Sequence, residues 1–239
     1  MNRCFKNVGG FSCNNCKGPI IKYGLVKGRQ RYKCKICNHT QMEFYQSNAC
    51  NPFISNNIIS LLKEGCGIRS IARLLHISAV TVISRIRKIA NAIVKPVITV
   101  GRTYEVDELR TYIKNKKQEC WIIYALDKQN GQVVDLKVGK RTKLNLQKVT
   151  DTLLLSDCKQ VYTDRLNTYR QLIPKALHKI TRYGTNKIER KNLSLRTHLK
   201  RLNRKSICFS KNIQMLEASI KIYFWYINAD CYRGLALAV

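Results

Sequence analysis

The chain has 239 residues, a hydrophobic content of 45% and a formal net charge of +30 from 44 basic and 14 acidic side chains. That length can bury a real core as one medium domain with one or two small ones. The charge calls for a polyanionic partner, nucleic acid ahead of an anionic membrane surface, and with no apolar run of about 18 residues and no signal-peptide pattern the reading is a soluble intracellular protein without membrane partners.

Residues 1–50 hold nine Lys or Arg, one acid (Glu43) and few large aliphatics, too little to build a hydrophobic core. A bound metal has to supply the folding energy. Cys13-x2-Cys16 and Cys34-x2-Cys37, with 17 residues between the pairs, have the spacing of a four-thiolate zinc site. Between them, IIKYGLVKGRQRYKCK reads as two short strands turning at Lys27-Gly28, the layout of a zinc ribbon. His39 is an alternative fourth ligand. The other seven cysteines (Cys4, Cys50, Cys66, Cys120, Cys158, Cys208 and Cys231) read as small buried apolar residues.

Residues 51–97 form a second unit. Three helical patterns run over 56–64, 68–75 and 78 to about 93, broken at Gly65 and Gly67 and linked by His76-Ile77-Ser78 with Ser78 as N-cap. This is a helix-turn-helix pattern. In the third helix Val82, Ile86, Ile89 and Ile93 recur on one side, which leaves Thr81, Arg85 and Lys88 outward as candidate DNA readers. Pro96 closes the segment.

Residues 98–239 are β first and α later. VGRTYEVDELRTYI, QECWIIYALD and QVVDLKVGKR are strand-like, the last two joined through Asn130-Gly131, and a three-stranded antiparallel meander follows. KLNLQKVTDTLLL has a helical period and leads to a short strand, QVYTD, placed parallel to one of the first three by the β-α-β step. The remainder reads as helical, with the YFWY run near the end as packing rather than a base-stacking platform.

Nine of the 14 acids lie between residues 105 and 164. Asp107 on the first strand, Asp164 at the end of the fourth and Glu189 at the start of a basic helix are the ones without an evident surface role. With strands one and four adjacent, Asp107 and Asp164 meet, and a helix crossing that edge can bring Glu189. Three such carboxylates repel one another unless divalent cations neutralise them, which favours magnesium (or manganese), two ions, and phosphodiester chemistry. Glu105 or Glu108 could replace Asp107, and Asp164 could belong to a turn before Leu166-Asn167. In TNKIERKNLSLRTHLKRLNRK, residues 185–205, Glu189 and Arg196 share a helix face with Lys200 one turn beyond and Arg201 beside it, while Ile188, Leu195, Leu199 and Leu202 turn to the core.

The segments VDE, YTDRLNTY and KIERKNLSLRTHLKRLNRKSICFSK resemble the transposases of the insertion sequence one family, and the likeness covers nearly the whole chain. It implies a zinc ribbon (1–50), a helix-turn-helix (51–97) and an RNase H-like catalytic domain (98–239) in a multi-domain α+β protein with a mixed sheet. It places a DDE triad on Asp107, Asp164 and Glu189, with 24 residues between the last two. Arg196, Lys200 and Arg201 become DNA-phosphate contacts, Asn192 lies between Glu189 and Arg196, and His178 matches a histidine common upstream of the Glu. The resemblance implies a bacterial, nucleoid-associated enzyme that binds terminal inverted repeats, cleaves the element ends and joins the 3′ hydroxyls to target DNA. It also implies a homodimer or larger assembly. A zinc-ribbon and helix-turn-helix repressor, which leaves the acids unexplained, and an RNase H-like nuclease or resolvase are the competing readings.

Overall fold

The computed structural model describes residues 12–42, 47–181, 183–203 and 208–226. Cys4 and Cys231 lie outside them.

The N-terminal unit is a three-stranded antiparallel ribbon of β1 (Ile20–Val26), β2 (Arg29–Cys34) and β3 (Thr40–Met42). Lys27 and Gly28 both have positive φ (48° and 72°), the conformation that turns a tight hairpin in the sense of the strand twist. The third strand was not expected; three residues are too few to carry a period of two.

The helix-turn-helix consists of α1 (Ile54–Lys63), α2 (Ile68–Leu74) and α3 (Ala79–Ala92). Ser78 caps α3, its Oγ accepting the Thr81 N–H at 3.0 Å, and His76 in the preceding turn takes a left-handed φ of 53°. Ile58, Leu62, Ile71, Val82 and Ile86 are buried together at the centre of the three helices.

The large unit is a mixed five-stranded sheet of β4 (Thr103–Tyr112), β5 (Glu119–Asp127), β6 (Val133–Gly139), β7 (Gln160–Tyr162) and β8 (His178–Lys179), in the order β6-β5-β4-β7-β8. β4, β5 and β6 form the expected antiparallel meander, and α4 (Lys143–Leu154) carries the chain across to β7, parallel to β4. The expected fourth strand is thus β7, and it ends at Tyr162, two residues short of Asp164. The two-residue β8 pairs with β7 where helix was expected; His178-Lys179 is too short to leave a sequence pattern. The chain continues as α5 (Asn167–Leu172), then α6 (Asn186–His198) and α7 (Ile213–Trp225).

Alternation along β4 sorts its side chains to two faces. Tyr104 and Val106 join Ile123, Leu146, Val149, Leu153 and Tyr169 beneath α4 and α5. Leu109 joins Tyr124, Ile188, Leu195, Leu216 and Ile220 beneath α6 and α7. The aromatic run packs as expected: Trp225 donates its indole N–H to the Val133 carbonyl at 2.7 Å, and Phe224 lies 5.4 Å from the Tyr124 ring.

α7 belongs to two cores. Leu216, Ile220 and Trp225 face the sheet, while Met215, Ala218 and Ile222 pack among α1, α2 and α3. A second close approach sits at Gly65, where φ is +78° and a Cβ would stand 2.2 Å from the His198 carbonyl oxygen. Any side chain there would push the helix-turn-helix off the end of α6.

The basic helix is shorter than the expected 185–205 segment. It stops at His198, Leu199 turns to an extended conformation, and Lys200–Leu202 form a separate 3₁₀ turn. Ile188, Leu195, Leu199 and Leu202 are all buried, as expected, although the last two reach the core from beyond the end of the helix. Of the scattered cysteines, Cys120 and Cys158 are buried, Cys50 and Cys66 are half-buried, and Cys208 is exposed, against the expectation for that residue.

Candidate active site

Two clusters of ligand side chains stand out among the described residues: Cys13, Cys16, Cys34 and Cys37 in the ribbon, and Asp107, Glu108 and Asp164 at the sheet. Within each, the ligand atoms lie within 4.8 Å of one another.

The Cys13–Cys37 sulfurs are 3.6 Å apart and the Cys16–Cys34 sulfurs 3.4 Å, near the spacing of about 3.8 Å that four thiolates take around a tetrahedral zinc with 2.3 Å bonds. Backbone N–H groups two residues on point at the sulfurs, Asn15 to Cys13 (3.4 Å) and Ile36 to Cys34 (3.3 Å). The His39 amide directed at Cys37 lowers that thiol to about 6, and the Cys37 amide lowers Cys34. This donor set fits Zn²⁺. His39 is exposed and stands outside the cluster, its carbonyl accepting the Cys34 N–H instead.

At the sheet, β4 and β7 pair in parallel with Glu105 opposite Tyr162. Two residues further on, the same register sets Asp107 beside Asp164, just past the end of β7. The odd residues of β4 face α6 and the even ones face α5, so Asp107 and Glu108 approach Asp164 from opposite faces of the sheet.

Asp107 is held on both oxygens: Oδ1 accepts the Glu108 N–H at 2.8 Å and Oδ2 accepts from Asn192 Nδ2 at 2.7 Å. Burial raises its pKa to about 6, helped by the charges of Glu108 and Asp164 and opposed by those two hydrogen bonds. Glu108 is more enclosed. Its Oε1 accepts from the Tyr169 hydroxyl at 2.6 Å and its Oε2 from Arg141 at 3.1 Å, while burial pushes its pKa upward. Asp164 is exposed, with Oδ1 accepting the Leu166 N–H at 3.0 Å, so the turn reading and the cluster reading hold together. Thr163 beside it lies 2.7 Å from His178 Nε2, and burial lowers the pKa of that histidine.

Glu189 does not join the three. It sits exposed in the first turn of α6, its Oε1 accepting from Thr185 Oγ1 at 3.1 Å. Asn192, one helical turn further along, does reach Asp107, so the face of α6 that carries Glu189 is the face turned to the site. The helix is pinned at its start by Glu105, a fully buried residue whose Oε2 accepts the Ile188 N–H at 2.7 Å and whose Oε1 lies 3.5 Å from Lys128 Nζ. An anion at a helix N-terminus satisfies an orphan N–H and the helix dipole together.

The cations expected to meet DNA fare differently. Arg196 is half-buried and donates to the carbonyls of Leu202 (3.2 Å) and Arg110 (3.5 Å). Arg201 donates to Ser210 Oγ at 3.3 Å, and burial lowers its pKa. Lys200 is exposed on the 3₁₀ turn. Of the three α3 residues expected to read DNA, only Lys88 is exposed: Thr81 is half-buried beside the Ser78 cap, and Arg85 is half-buried with its guanidinium donating to the Ala49 carbonyl at 3.1 Å. A groove of about 690 Å³ beside this helix is lined by Arg73, His76, Ser78 and Thr81, among others.

Tyr124, Lys128, Arg141 and Tyr169 were not singled out as site residues from sequence, and Glu105 was weighed only as a substitute for Asp107. The spacing of Glu105 and Asp107, i and i+2 on one strand, would have put both on one face; nothing local marks the other four.

The raised pKa of Asp107 has a measurable consequence. The folded value of about 6 exceeds the ordinary aspartate value of about 3.9, so the acid form is favoured on folding. Below about pH 4 both states hold the proton and nothing is lost. As pH rises through 6 the folded chain must ionise a buried carboxylate, a cost of about 3 kcal/mol. Asp107→Asn is therefore expected to melt above wild type at pH 7.5, without added divalent cation, and level with it near pH 4. Equal melting at both pH values would contradict the shift.

Comparison with known proteins places this geometry. Residues 100–233, the whole sheet with α4 to α7, match the family model described as IS1 transposase. The chain is 34% identical over 129 residues to insertion element IS1 protein InsB of Shigella flexneri, covering 54% of this chain and 96% of that protein. It is 35% identical over 129 residues to insertion element IS1 4 protein InsB of Escherichia coli strain K12, covering 54% of this chain and 75% of that one. Among solved structures, the HTLV-2 integrase catalytic core domain in complex with magnesium overlaps with a TM-score of 0.37 at 14% identity, over 56% of this chain and 94% of that one. The family match spans the strand that carries Asp107, the turn that carries Asp164 and the helix that carries Glu189, and on it the chain belongs to the IS1 transposase family.

Proposed function

We propose that the chain is a DDE transposase with an RNase H-like catalytic domain, acting on the terminal inverted repeats of its own insertion element. The observation that carries this reading is the convergence of Asp107 and Asp164 at the end of two parallel strands, inside the region that matches the family. Asp107, Asp164 and Glu189 would hold two Mg²⁺ (or Mn²⁺) ions. Bound there, the ions supply activation of the attacking oxygen and stabilisation of the leaving one in phosphodiester cleavage and in strand transfer.

The residues of the chain prepare that chemistry. Asp107 offers a carboxylate already fixed in plane; Asp164 offers an exposed one reachable from solvent. Glu105 anchors α6 so that Glu189, released from Thr185 by a side-chain rotation, turns toward Asp107. The ribbon, holding Zn²⁺, and the helix-turn-helix bind the repeats. There Lys88 and Thr81 meet the DNA directly, and Arg85 shapes the helix by holding the Ala49 turn. Lys200 is placed for phosphate, whereas Arg196 and Arg201 brace the turn after α6. Two ends must be held at once, which calls for a homodimer or a larger assembly.

Glu108 is the competing third ligand, because it lies in the cluster and Glu189 does not. Its two oxygens are committed to Tyr169 and Arg141, which favours Glu189. Duplexes carrying the element ends, incubated with Mg²⁺ and the purified chain, separate the two. Glu189→Gln is expected to abolish cleavage, and Glu108→Gln to retain it at a reduced rate. The reverse pattern would move the third ligand to β4, and binding without cleavage by wild type would favour a repressor.

A further inference from the structure

Asn192 is neither acidic nor basic, yet it makes the one side-chain hydrogen bond from α6 to Asp107 among the described residues. Its amide orientation follows from its two partners. An ionised Asp107 can only accept, so Nδ2 faces it at 2.7 Å, and Oδ1 receives the Tyr124 hydroxyl at 2.8 Å. Tyr124 is fully buried on the neighbouring strand β5, directly opposite Asp107 in the ladder, with Phe224 against its ring. It has no room to swing away.

Asp107 is left with one lone pair free on each oxygen. Oδ1 is tied to the Glu108 N–H and Oδ2 to Asn192, so the carboxylate cannot rotate about Cβ–Cγ without breaking a bond at one end or the other. Glu105, on the same face of β4, holds the Ile188 N–H of the same helix. Helix α6 is thus registered on β4 at two points, at its first turn and one turn further along, with Glu189 between them.

We propose that Asn192, oriented by Tyr124, is a positioning residue of the carboxylate centre. It fixes the plane of Asp107 and couples that plane to the helix bearing Glu189, so that a divalent cation meets ligands already in place. The proposal rests on the reading of these carboxylates as a cation site. Partners that orient a metal ligand without touching the metal are typically worth 10–100-fold in affinity or activity.

The test uses Mn²⁺ alone with the full chain and no DNA, free Mn²⁺ being counted from its solution EPR signal. Wild type is expected to bind Mn²⁺, and Asp107→Ala with Asp164→Ala to abolish that binding. Asn192→Ala should weaken it by about tenfold or more, and Tyr124→Phe by less, since the amide stays but is free to flip. Ile188→Val, which trims a buried methyl from the same helix, should lower the melting temperature while leaving Mn²⁺ affinity alone. If Asn192→Ala binds Mn²⁺ like wild type, or Ile188→Val weakens binding as much as Asn192→Ala does, the positioning role is overturned while the cation site stands. If wild type binds no Mn²⁺ that the double variant loses, both readings fall together.

Discussion

Asp164→Ala is expected to reduce end cleavage about a thousandfold or more while leaving DNA binding and the fold intact. Asp164 is exposed and makes only a local bond to the Leu166 N–H, so its removal costs little stability. Its chemical contribution is of another size. Charge stabilisation at a metal-dependent phosphoryl centre amounts to several kcal/mol, and each 1.4 kcal/mol is about tenfold in rate. The separation between unchanged binding and lost cleavage is the diagnostic feature, read as a gel shift beside a strand-cleavage assay on the same duplex. A variant that binds but still cuts at a tenth of the wild-type rate would remove Asp164 from the catalytic set.

Removing zinc should unfold the ribbon and spare the rest. Among residues 12–42 the buried side chains are Cys13, Cys34 and Gln41, and the larger apolar residues Ile21, Tyr23, Leu25 and Ile36 are exposed. A three-stranded sheet with so little apolar burial has no other source of stability, whereas structural zinc in small fingers supplies roughly 10–16 kcal/mol. Chelation, or Cys37→Ser, is therefore expected to open residues 12–42 to rapid hydrogen exchange, with β4 and β5 staying protected. Binding of element ends should weaken in step. A ribbon that stays protected after chelation would mean that packing, not metal, holds it.

The two clusters show how differently a site can be written into a chain. The thiolates are local: two Cys-x2-Cys knuckles and a tight hairpin at Lys27-Gly28 bring them together, and both were readable from spacing. The carboxylates are not local. Placing Asp107 beside Asp164 required the β-α-β step through α4, from which the sequence pattern supplied a fourth strand parallel to one of the first three; that its partner is β4 is a feature of the tertiary structure. The third member was harder. Glu189 was expected with the other two, and the structure gathers Glu108 there and turns Glu189 to Thr185. A sequence motif records which residue a family uses, whereas a side chain's rotamer answers to whatever partner is nearest.

The basic side chains make the same point. Lys200 follows Arg196 on one helix face only if the helix continues, and the chain instead leaves the helix at His198, with Leu199 extended. Arg85 reads as an outward reader by helical period alone, yet the turn at residues 48–50 comes back to take its guanidinium.

Composition, cysteine spacing and strand order by themselves determined that this protein is basic, carries a four-cysteine cluster in its first unit and is built on a mixed sheet. These features depend on short-range geometry and on net charge, which survive any arrangement of the units. Only the tertiary structure decided the rest: Glu105 capping α6, Asn192 fixing Asp107, and α7 serving two cores at once. Each of these joins residues distant in sequence, and a buried polar group takes the partner that packing delivers to it.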